Sequence, residues 1–187
     1  MIQAVNSPKN MIPWSMEPNR VPPWTLDQIT VPSINNASPD GSLSASILHE
    51  DANAGTHFLY CVQPVSCGRV YCLSVVAKAI NRTWMNLYFD GFGVFVNLAT
   101  GAIGTVVGAS LNRIVTALPN SWYRISYAYL SPTNANVYVR CYIGEADNDV
   151  TFNGLNQDSL YIWKPCINDG YYPEDLEKIY TNEVAKS

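Results

Sequence analysis

The sequence contains few charged residues. Asp, Glu, Lys and Arg make up 14% of the 187 residues, whereas an average globular domain has about 25%. Because the exposed faces of helices are usually filled with Glu, Lys and Arg, this scarcity disfavours a helical protein. Polar and aromatic residues replace the missing charge, including 12 Tyr and 5 Trp. Such a composition is typical of two packed β-sheets with a polar, aromatic-rich surface.

Long basic and long apolar stretches are also absent. The net charge is −4 and no run of Lys or Arg forms a stripe, so we expect no nucleic-acid partner. No apolar stretch approaches the ~20 residues of a membrane-spanning helix, so we expect no membrane insertion. Residues 1–10 lack a basic segment followed by an apolar core. We therefore expect that the protein has no signal peptide and that it is synthesised in a cytoplasm.

Signatures of catalysis are missing as well. The sequence has no Gly-x-Ser-x-Gly elbow, P-loop, dinucleotide fingerprint or His-Glu-x-x-His motif. Its two histidines, His49 and His57, are interpreted as structural or surface residues. The cysteines are odd in number and lack metal-type spacing, which indicates free thiols in the core; they are Cys61, Cys67, Cys72, Cys141 and Cys166. We predict a protein that is not an enzyme, with no catalytic residue, no metal and no cofactor.

Two acidic loops leave alternatives open. Asp90 lies in a Gly-rich turn, and Glu145, Asp147 and Asp149 alternate in a second loop. Hard oxygen ligands at alternate positions suit Ca²⁺, so a structural calcium ion is the cofactor alternative. Asp90 with Asp147 is the one carboxylate pair we consider for a glycosidase. Asp and Gly are also expected in turns for backbone reasons alone, which is the interpretation we prefer.

The N-terminal segment is rich in proline. Six prolines fall within residues 1–36, and each removes a backbone donor and disfavours helix just before it. We predict an extended anchor arm over residues 1–36 with an edge strand at residues 24–31, followed by a jelly-roll domain over residues 37–187. Trp14 and Trp24 would pin this arm, either onto the domain or onto a partner.

From Ser38 onward, short alternations of apolar and polar residues recur between turn signals, which predicts an all-β, two-sheet jelly-roll sandwich. We predict strands at residues 43–49, 57–63, 69–79, 83–89, 93–97, 106–111, 114–118, 122–130, 137–142 and 160–164. The sequence Pro39-Asp40-Gly41 predicts a turn, and residues 99–101 and 131–134 are predicted to close hairpins. Residues 174–179 could form one turn of helix. In the strand at residues 69–79, Lys78 marks its face as the wetter one.

The non-core faces of two predicted strands repeat an aromatic, polar, aromatic pattern, because successive side chains of a strand point to opposite faces. The six residues are Trp84, Asn86, Tyr88, Tyr138, Arg140 and Tyr142. They could line a groove in which aromatic rings stack on sugars while Asn86 and Arg140 bind hydroxyl groups. They could equally form a subunit interface, where Tyr, Trp and Arg are enriched. A third alternative is that loops or the N-terminal arm cover them.

Six short motifs, in order along nearly the whole chain, resemble those of a known domain type. They are N-M-I-P-W-S at 10–15, S-P-D-G-S-L-S-A at 38–45, V-S-C-G-R-V-Y-C-L-S-V-V-A-K-A at 65–79, V-N-L-A-T-G at 96–101, N-S-W-Y-R-I-S at 120–126, and L-Y-I-W at 160–163 followed by Y-T at 180–181. This set resembles the carbohydrate-binding-module-like jelly-roll domains of tailed-phage virion proteins. The chain departs from that pattern after Trp163, where the family has G-A-Q-L-E.

The resemblance implies a structural protein on the surface of a tailed-phage virion, as a capsid decoration or short head fibre. Other virion proteins would be its partners, it would form homo-oligomers, and many copies would attach to glycans with avidity. A tail-associated adhesin or a stand-alone glycan-binding module is the alternative. Shared positions such as Ser74, Trp122 and Trp163 are interpreted as framework, so a glycan ligand follows only by analogy.

Overall fold

The computed structural model describes residues 10–12 and 15–173. These residues form fifteen β-strands and one short 3-10 helix at Pro119–Ser121, and none of their elements is a helix that could cross a bilayer. In chain order the strands are β1 (Thr25–Asp27), β2 (Ile29–Thr30), β3 (Asn36–Ala37), β4 (Leu43–Glu50), β5 (Ala54–Thr56), β6 (Phe58–Val65), β7 (Val70–Ala79), β8 (Trp84–Phe89), β9 (Phe92–Asn97), β10 (Ile103–Val107), β11 (Leu111–Leu118), β12 (Trp122–Leu130), β13 (Ala135–Gly144), β14 (Thr151–Asn153) and β15 (Gln157–Asp169).

The strands form the two-sheet sandwich that the alternation predicted. A six-stranded sheet has the order β1-β6-β13-β8-β9-β10, and a seven-stranded sheet has the order β11-β12-β7-β15-β4-β2. The short β3 pairs with β4, and β5 and β14 form a separate two-stranded ribbon. Neighbouring strands are antiparallel, as in hairpin-based and jelly-roll architectures.

The core lies between the inner faces of the two sheets. Leu59 of β6 and Leu87 of β8 point inward from the six-stranded sheet, and Leu73 of β7 and Ile125 of β12 point inward from the other; each is at most 1% exposed. Because successive side chains alternate in direction, the residues between them on β6 and β8 point to the outside of the six-stranded sheet. The core thereby fixes which side chains that outer face presents.

The N-terminal segment is part of the sandwich from Trp24 onward. Trp24 is fully buried in the core, β1 pairs with β6, and β2 pairs with β4. The predicted strand at residues 24–31 is thus two strands, separated at Gln28, whose φ is +52°. Trp24 pins the segment onto the domain, and the boundary predicted after residue 36 does not separate β1 and β2 from the sandwich. Trp14 and the helical turn predicted at 174–179 lie outside the described residues.

One predicted strand and one predicted hairpin are wrong. The strand predicted at residues 106–111 is interrupted at Gly108, whose φ is +69°, so β10 ends at Val107 and the next strand, β11, takes in the predicted 114–118. Residues 131–134 do not close a hairpin, because β12 belongs to the seven-stranded sheet and β13 to the six-stranded sheet. The turn at residues 99–101 joins the paired strands β9 and β10, as predicted.

The face of β7 that carries Lys78 is the less buried of its two faces, as predicted, but it is not open to solvent: Lys78 is half-buried and Ser74 is 4% exposed, whereas Leu73 on the other face is fully buried. Val76 of β7 is 2% exposed and packs with Ala45, Trp122 and Trp163 in a second, smaller apolar cluster. The seven-stranded sheet is therefore buried on parts of both faces. Because one charged residue at a strand end reports only its own position, it did not indicate this burial.

The cysteines are free thiols, as predicted, but they are not all in the core. Four are buried and Cys67 is exposed in the turn before β7, where its Sγ donates to the Pro132 carbonyl at 3.2 Å. Burial raises the pKa of Cys61 and of Cys141 to about 12. These two thiols stay protonated at neutral pH and act as small apolar core residues.

A buried ion pair lies at the end of β4. Glu50 is fully buried, and the Arg82 guanidinium, 8% exposed, donates to it from Nε at 3.0 Å and from Nη2 at 2.8 Å. Ser159 Oγ and the Leu155 backbone N–H also donate to the carboxylate. Burial alone would raise the pKa of Glu50, but these hydrogen bonds, with Arg82 foremost, lower it overall. Arg82 also pairs with the exposed Glu145.

Candidate functional site

The outer face of the six-stranded sheet carries all six residues that the sequence singled out. Trp84, Asn86 and Tyr88 project from β8, and Tyr138, Arg140 and Tyr142 project from the adjacent β13. Strand β6, on the other side of β13, adds Phe58 and Tyr60 to the same face. We call this set the aromatic face; its members are Phe58, Tyr60, Trp84, Asn86, Tyr88, Tyr138, Arg140 and Tyr142.

Strand register arranges the aromatic face in rows that cross the strands. Arg140 lies opposite Tyr60 on β6 and opposite Tyr88 on β8. One row along, Tyr142 lies opposite Phe58 and Asn86. Because neighbouring strands are about 4.8 Å apart, side chains of one row are in contact. The pleat of three strands thus gathers residues that are up to 84 positions apart in the sequence, from Phe58 to Tyr142.

The rings of the aromatic face brace one another. The ring centroids of Phe58 and Tyr142 are 4.6 Å apart, and Tyr60 meets Tyr138 edge-on at 5.4 Å. Tyr88 meets Tyr142 edge-on at 6.2 Å. Such contacts fall in the range of favourable aromatic pairs. They restrict the rotamers of the exposed rings, which lowers the entropy cost of binding a ligand on them.

Most of the aromatic face is accessible in the isolated chain. Tyr138 is 42% exposed, and Trp84, Tyr88, Arg140 and Tyr142 are half-buried. Asn86, by contrast, is only 4% exposed. Asn86 is therefore the one member of the six residues that the described structure buries. A ligand surface and a subunit interface both remain compatible with the exposure of the other five.

Two polar groups of the aromatic face have hydrogen-bonding capacity that no described residue uses. The buried Nε of Arg140 has no acceptor, and the buried Oδ1 of Asn86 has no donor. Burial raises the pKa of Tyr142, and the nearby Arg140 opposes that rise without cancelling it. The Tyr142 hydroxyl is thus protonated at neutral pH and can donate a hydrogen bond. The face offers both donors and acceptors among its rings.

A glycine lets two of these side chains lie close to the sheet. Gly93 of β9 lies opposite Tyr88, and a Cβ at this position would be 2.9 Å from both Asn86 Oδ1 and a Tyr88 ring carbon. Any larger residue would push Asn86 or Tyr88 outward. Gly93 therefore sets the depth at which both side chains lie.

Sequence reasoning missed Phe58 and Tyr60. Both fall in the strand predicted at residues 57–63, where Phe58, Tyr60 and Val62 alternate with the buried Leu59 and Cys61. The same alternation rule that selected β8 and β13 would have assigned them to an outer face. It could not have shown that β6 pairs with β13, because pairing depends on the order of the strands in the sheet.

The carboxylates considered for catalysis do not come together. Asp147 accepts a hydrogen bond from the Thr105 backbone N–H at 2.7 Å and lies by Trp84, at the start of β8. Asp90 follows Phe89 at the opposite end of β8. Six residues of strand span on the order of 20 Å, whereas glycosidase carboxylates are about 5–9.5 Å apart. The pairing of Asp90 with Asp147 is therefore ruled out by the fold.

The loop considered for calcium binds protein groups. Glu145 pairs with Arg82, Asp147 bonds Thr105, and Asp149 accepts from the Thr151 backbone N–H at 3.0 Å. Across residues 10–12 and 15–173, no group of three or more His, Cys, Asp or Glu side chains is placed to hold a metal ion. The three carboxylates thus point to three different partners.

Each histidine lies beside a carboxylate, outside the aromatic face. His49 Nδ1 is 2.8 Å from Asp158 Oδ1, and this hydrogen bond raises the pKa of His49 above 6.5. His57 is fully buried and stacks on Phe152, with ring centroids 4.6 Å apart. Near Phe152, an open cavity of about 310 Å³ is lined by Ala54, Gly55, Glu145, Thr151, Phe152 and Asn153.

Comparison with solved structures identifies the fold class. A carbohydrate-binding module, TmCBM61, solved in complex with β-1,4-galactotriose, superposes with a TM-score of 0.52 at 11% identity, covering 87% of this chain and 99% of that chain. The enzymatically active domain of bacteriophage CBA120 tailspike protein 4 gives 0.49 at 13% identity, covering 86% of this chain and 21% of that one. The CBM22-1 xylan-binding domain of Paenibacillus barcinonensis Xyn10C gives 0.46 at 12%, covering 91% and 100%.

The chain therefore has the β-sandwich fold of carbohydrate-binding modules. At 11% identity, the similarity to TmCBM61 shows the fold alone, because one fold hosts many functions. The two matches with TM-scores under 0.5 add nothing to this conclusion. The sequence matches no protein-family model and no curated protein.

Proposed function

We propose that this chain is a non-catalytic glycan-binding protein and that its ligand lies on the aromatic face. The observation that carries the proposal is an accessible surface of mutually braced rings around polar groups with unused hydrogen-bonding capacity. Aromatic planes pack against the C–H faces of sugar rings, and the polar groups between them bind hydroxyls. TmCBM61, which shares this fold, was solved with β-1,4-galactotriose, so galactose-containing saccharides are among the ligands to test.

Tryptophan fluorescence tests this proposal directly. Trp84 lies half-buried on the aromatic face, whereas Trp24, Trp122 and Trp163 are at most 5% exposed. We expect an oligosaccharide ligand to change the emission of the wild-type protein. The Trp84→Phe variant should lose that change while still binding the saccharide, because it keeps an aromatic ring at this position.

Affinity gel electrophoresis in neutral polysaccharides gives the matching binding assay. The Tyr138→Ala variant should lose about tenfold in affinity, because it removes the most exposed ring of the face. Tyr171→Ala is the matched control, since Tyr171 is 52% exposed and lies after β15 of the other sheet. Equal retention of all three proteins, in every polysaccharide tested, would contradict glycan binding by this face.

We further propose that the protein is displayed on the surface of a tailed-phage virion, as a capsid decoration or short head fibre. Support comes from the six motifs that resemble virion domains in the same order along the chain. Other virion proteins would hold it on the particle, where it would assemble as a homo-oligomer. Many copies would turn weak single-site contacts into useful avidity. A tail-associated adhesin is the alternative location.

Imaging purified virions with and without this chain tests the location. Missing density on the capsid in the deletion would support a decoration or head fibre, and missing density on the tail would support the adhesin. Deletion particles with the same density as the wild-type particles would contradict a virion role. Glycan binding by the isolated protein would then support a stand-alone glycan-binding module.

A further inference from the structure

Arg140 occupies the centre of the aromatic face. Its guanidinium carbon lies 4.8 Å from the centre of the Tyr138 ring and 5.6 Å from that of the Tyr88 ring. Contacts of a guanidinium with aromatic rings within about 6 Å are favourable and hold the group in place. The positive charge is thus positioned by rings on its own strand and on β8, and it is surrounded by the surface that the proposed ligand would cover.

The guanidinium of Arg140 has no anionic partner in the described part of the chain. Arg20, Arg69 and Arg82 each form an ion pair with a carboxylate. Arg140 forms none, and its buried Nε donates to no acceptor. Arginine presents five N–H donors in a planar fork that matches a carboxylate in a bidentate way. The guanidinium interacts with the Tyr142 hydroxyl, but among the described residues no carboxylate pairs with its fork. A pre-positioned fork of this kind fits an anion that comes from outside the chain.

The surrounding charges do not replace such an anion. Asp27 lies at the margin of the face, opposite Phe58 on the edge strand β1, and makes no ion pair with Arg140. Asp147, near Trp84, is bonded to Thr105. Because the protein carries a net charge of −4, its overall field does not attract polyanions. Recognition of an acidic ligand would depend on Arg140 locally.

We propose that the aromatic face binds a carboxylate-bearing saccharide, of the uronic-acid class, and that Arg140 receives its carboxylate. This inference rests on the proposed glycan-binding function and adds the class of ligand. The rings would stack on the sugars, and the guanidinium fork would select those that carry a carboxylate.

Affinity gel electrophoresis with paired polysaccharides tests the proposal. Each uronic-acid polysaccharide, such as polygalacturonate, alginate or hyaluronate, is run beside the same polymer after chemical reduction of its carboxyl groups to alcohols. Dextran sulfate and neutral galactan complete the set. We expect the wild-type protein to bind at least one uronate polymer and to lose about ten- to one-hundredfold in affinity for its reduced form, the range for a hydrogen-bonded charged group.

Three variants assign the effect to Arg140. Arg140→Gln should lose the preference for the uronate form, and Arg140→Lys should recover only part of it, because a lysine lacks the planar fork. Arg69→Gln, which removes an exposed arginine before β7, should bind as the wild type does. Thermal unfolding of each variant shows whether it is folded.

The outcomes separate the two proposals. Equal affinity for the uronate and reduced forms, an unchanged preference in Arg140→Gln, or equally strong binding to dextran sulfate would overturn the carboxylate proposal and leave glycan binding in place. Binding to none of the polymers, including galactan, would contradict both the ligand class and the proposed function.

Discussion

At the scale of single residues, the buried pair of Glu50 and Arg82 has the largest expected effect on stability. Glu50→Gln keeps the shape of the side chain but leaves the 8%-exposed Arg82 with only the exposed Glu145 as counter-charge. Breaking a buried pair in this way costs about 3–5 kcal/mol. We expect a decrease of that size in the free energy of unfolding, measured by urea denaturation.

The exposed ion pair of Arg69 and Asp169 is the control for this prediction. Both side chains are about half exposed, and surface pairs contribute about 0–1 kcal/mol. Asp169→Asn should therefore leave the free energy of unfolding within about 1 kcal/mol of the wild type. Similar decreases in the two variants would show that Glu50 is less buried, or less well paired, than described.

His49 gives the protein a pH-dependent increment of stability. Its hydrogen bond to Asp158 raises the pKa of His49 above the unfolded value of 6.5, so protonation favours the folded state. That increment is complete below pH 6.5 and is lost as the pH rises through the folded-state pKa. NMR titration should give a pKa above 6.5 for His49 in the wild type and a lower one in Asp158→Asn. An unchanged pKa in the variant would exclude the hydrogen bond as the cause.

At the scale of elements, the strands were largely predictable and their connections were not. The sequence located β7, β12 and β13 to within two residues at each end, because each is a run of strand-forming residues between turn residues. A turn signal shows only that the chain reverses. It does not show whether the next strand pairs with the previous one, as β9 and β10 do, or crosses to the other sheet, as β12 and β13 do.

The crossing from β10 to β11 depends on Gly108. Its φ is +69°, and a Cβ there would lie 2.6 Å from the Gly91 carbonyl oxygen. Gly108→Ala should therefore destabilise the fold by more than the conformational penalty alone. Gly68→Ala is the control, since Gly68 has a φ of +76° with open space around it and should cost only about 1–2 kcal/mol. Equal losses in urea denaturation would contradict the described contact with Gly91.

The sequence predicted which residues form the candidate site better than it predicted how the strands that carry them are arranged. The alternation rule placed Trp84, Asn86 and Tyr88 on one face and Tyr138, Arg140 and Tyr142 on another, and β8 and β13 proved to be neighbours with those faces on the same side. Within the described part of the chain, Arg140 has no carboxylate partner, and this depends on the register of three strands. That register cannot be predicted from a single sequence.

At the scale of the whole molecule, four of the six motifs of the phage-type resemblance lie mainly on the seven-stranded sheet, in β4, β7, β12 and β15, whereas the aromatic face lies on the six-stranded sheet. The motif at 96–101 is an exception, because it begins on β9 of the six-stranded sheet. Trp122 and Trp163 pack with Val76 on the seven-stranded sheet, and Trp163 Nε1 donates to Ser44 at 3.0 Å. Those motif residues maintain the fold and leave the outer face of the six-stranded sheet free to vary. Similarity in the motifs therefore carries information on architecture and almost none on the ligand.

The same separation predicts that binding and stability can be changed independently. Tyr60→Ala with Tyr138→Ala should abolish saccharide binding with a modest change in the melting temperature, because both rings lie outside the core between the sheets. Trp163→Ala, which removes a side chain 5% exposed, should instead lower the melting temperature markedly. Loss of binding only in parallel with loss of stability would contradict a separate binding face.

Chemical-shift mapping with a bound oligosaccharide tests the central claim most directly. The isotope-labelled protein is titrated with a ligand selected by affinity electrophoresis, and backbone amide shifts are followed along the chain. We predict that the largest changes fall on β6, β8 and β13, around Tyr60, Tyr88 and Arg140. Changes concentrated instead at the β5–β14 ribbon, around the cavity lined by Gly55 and Phe152, would contradict the aromatic face as the binding site.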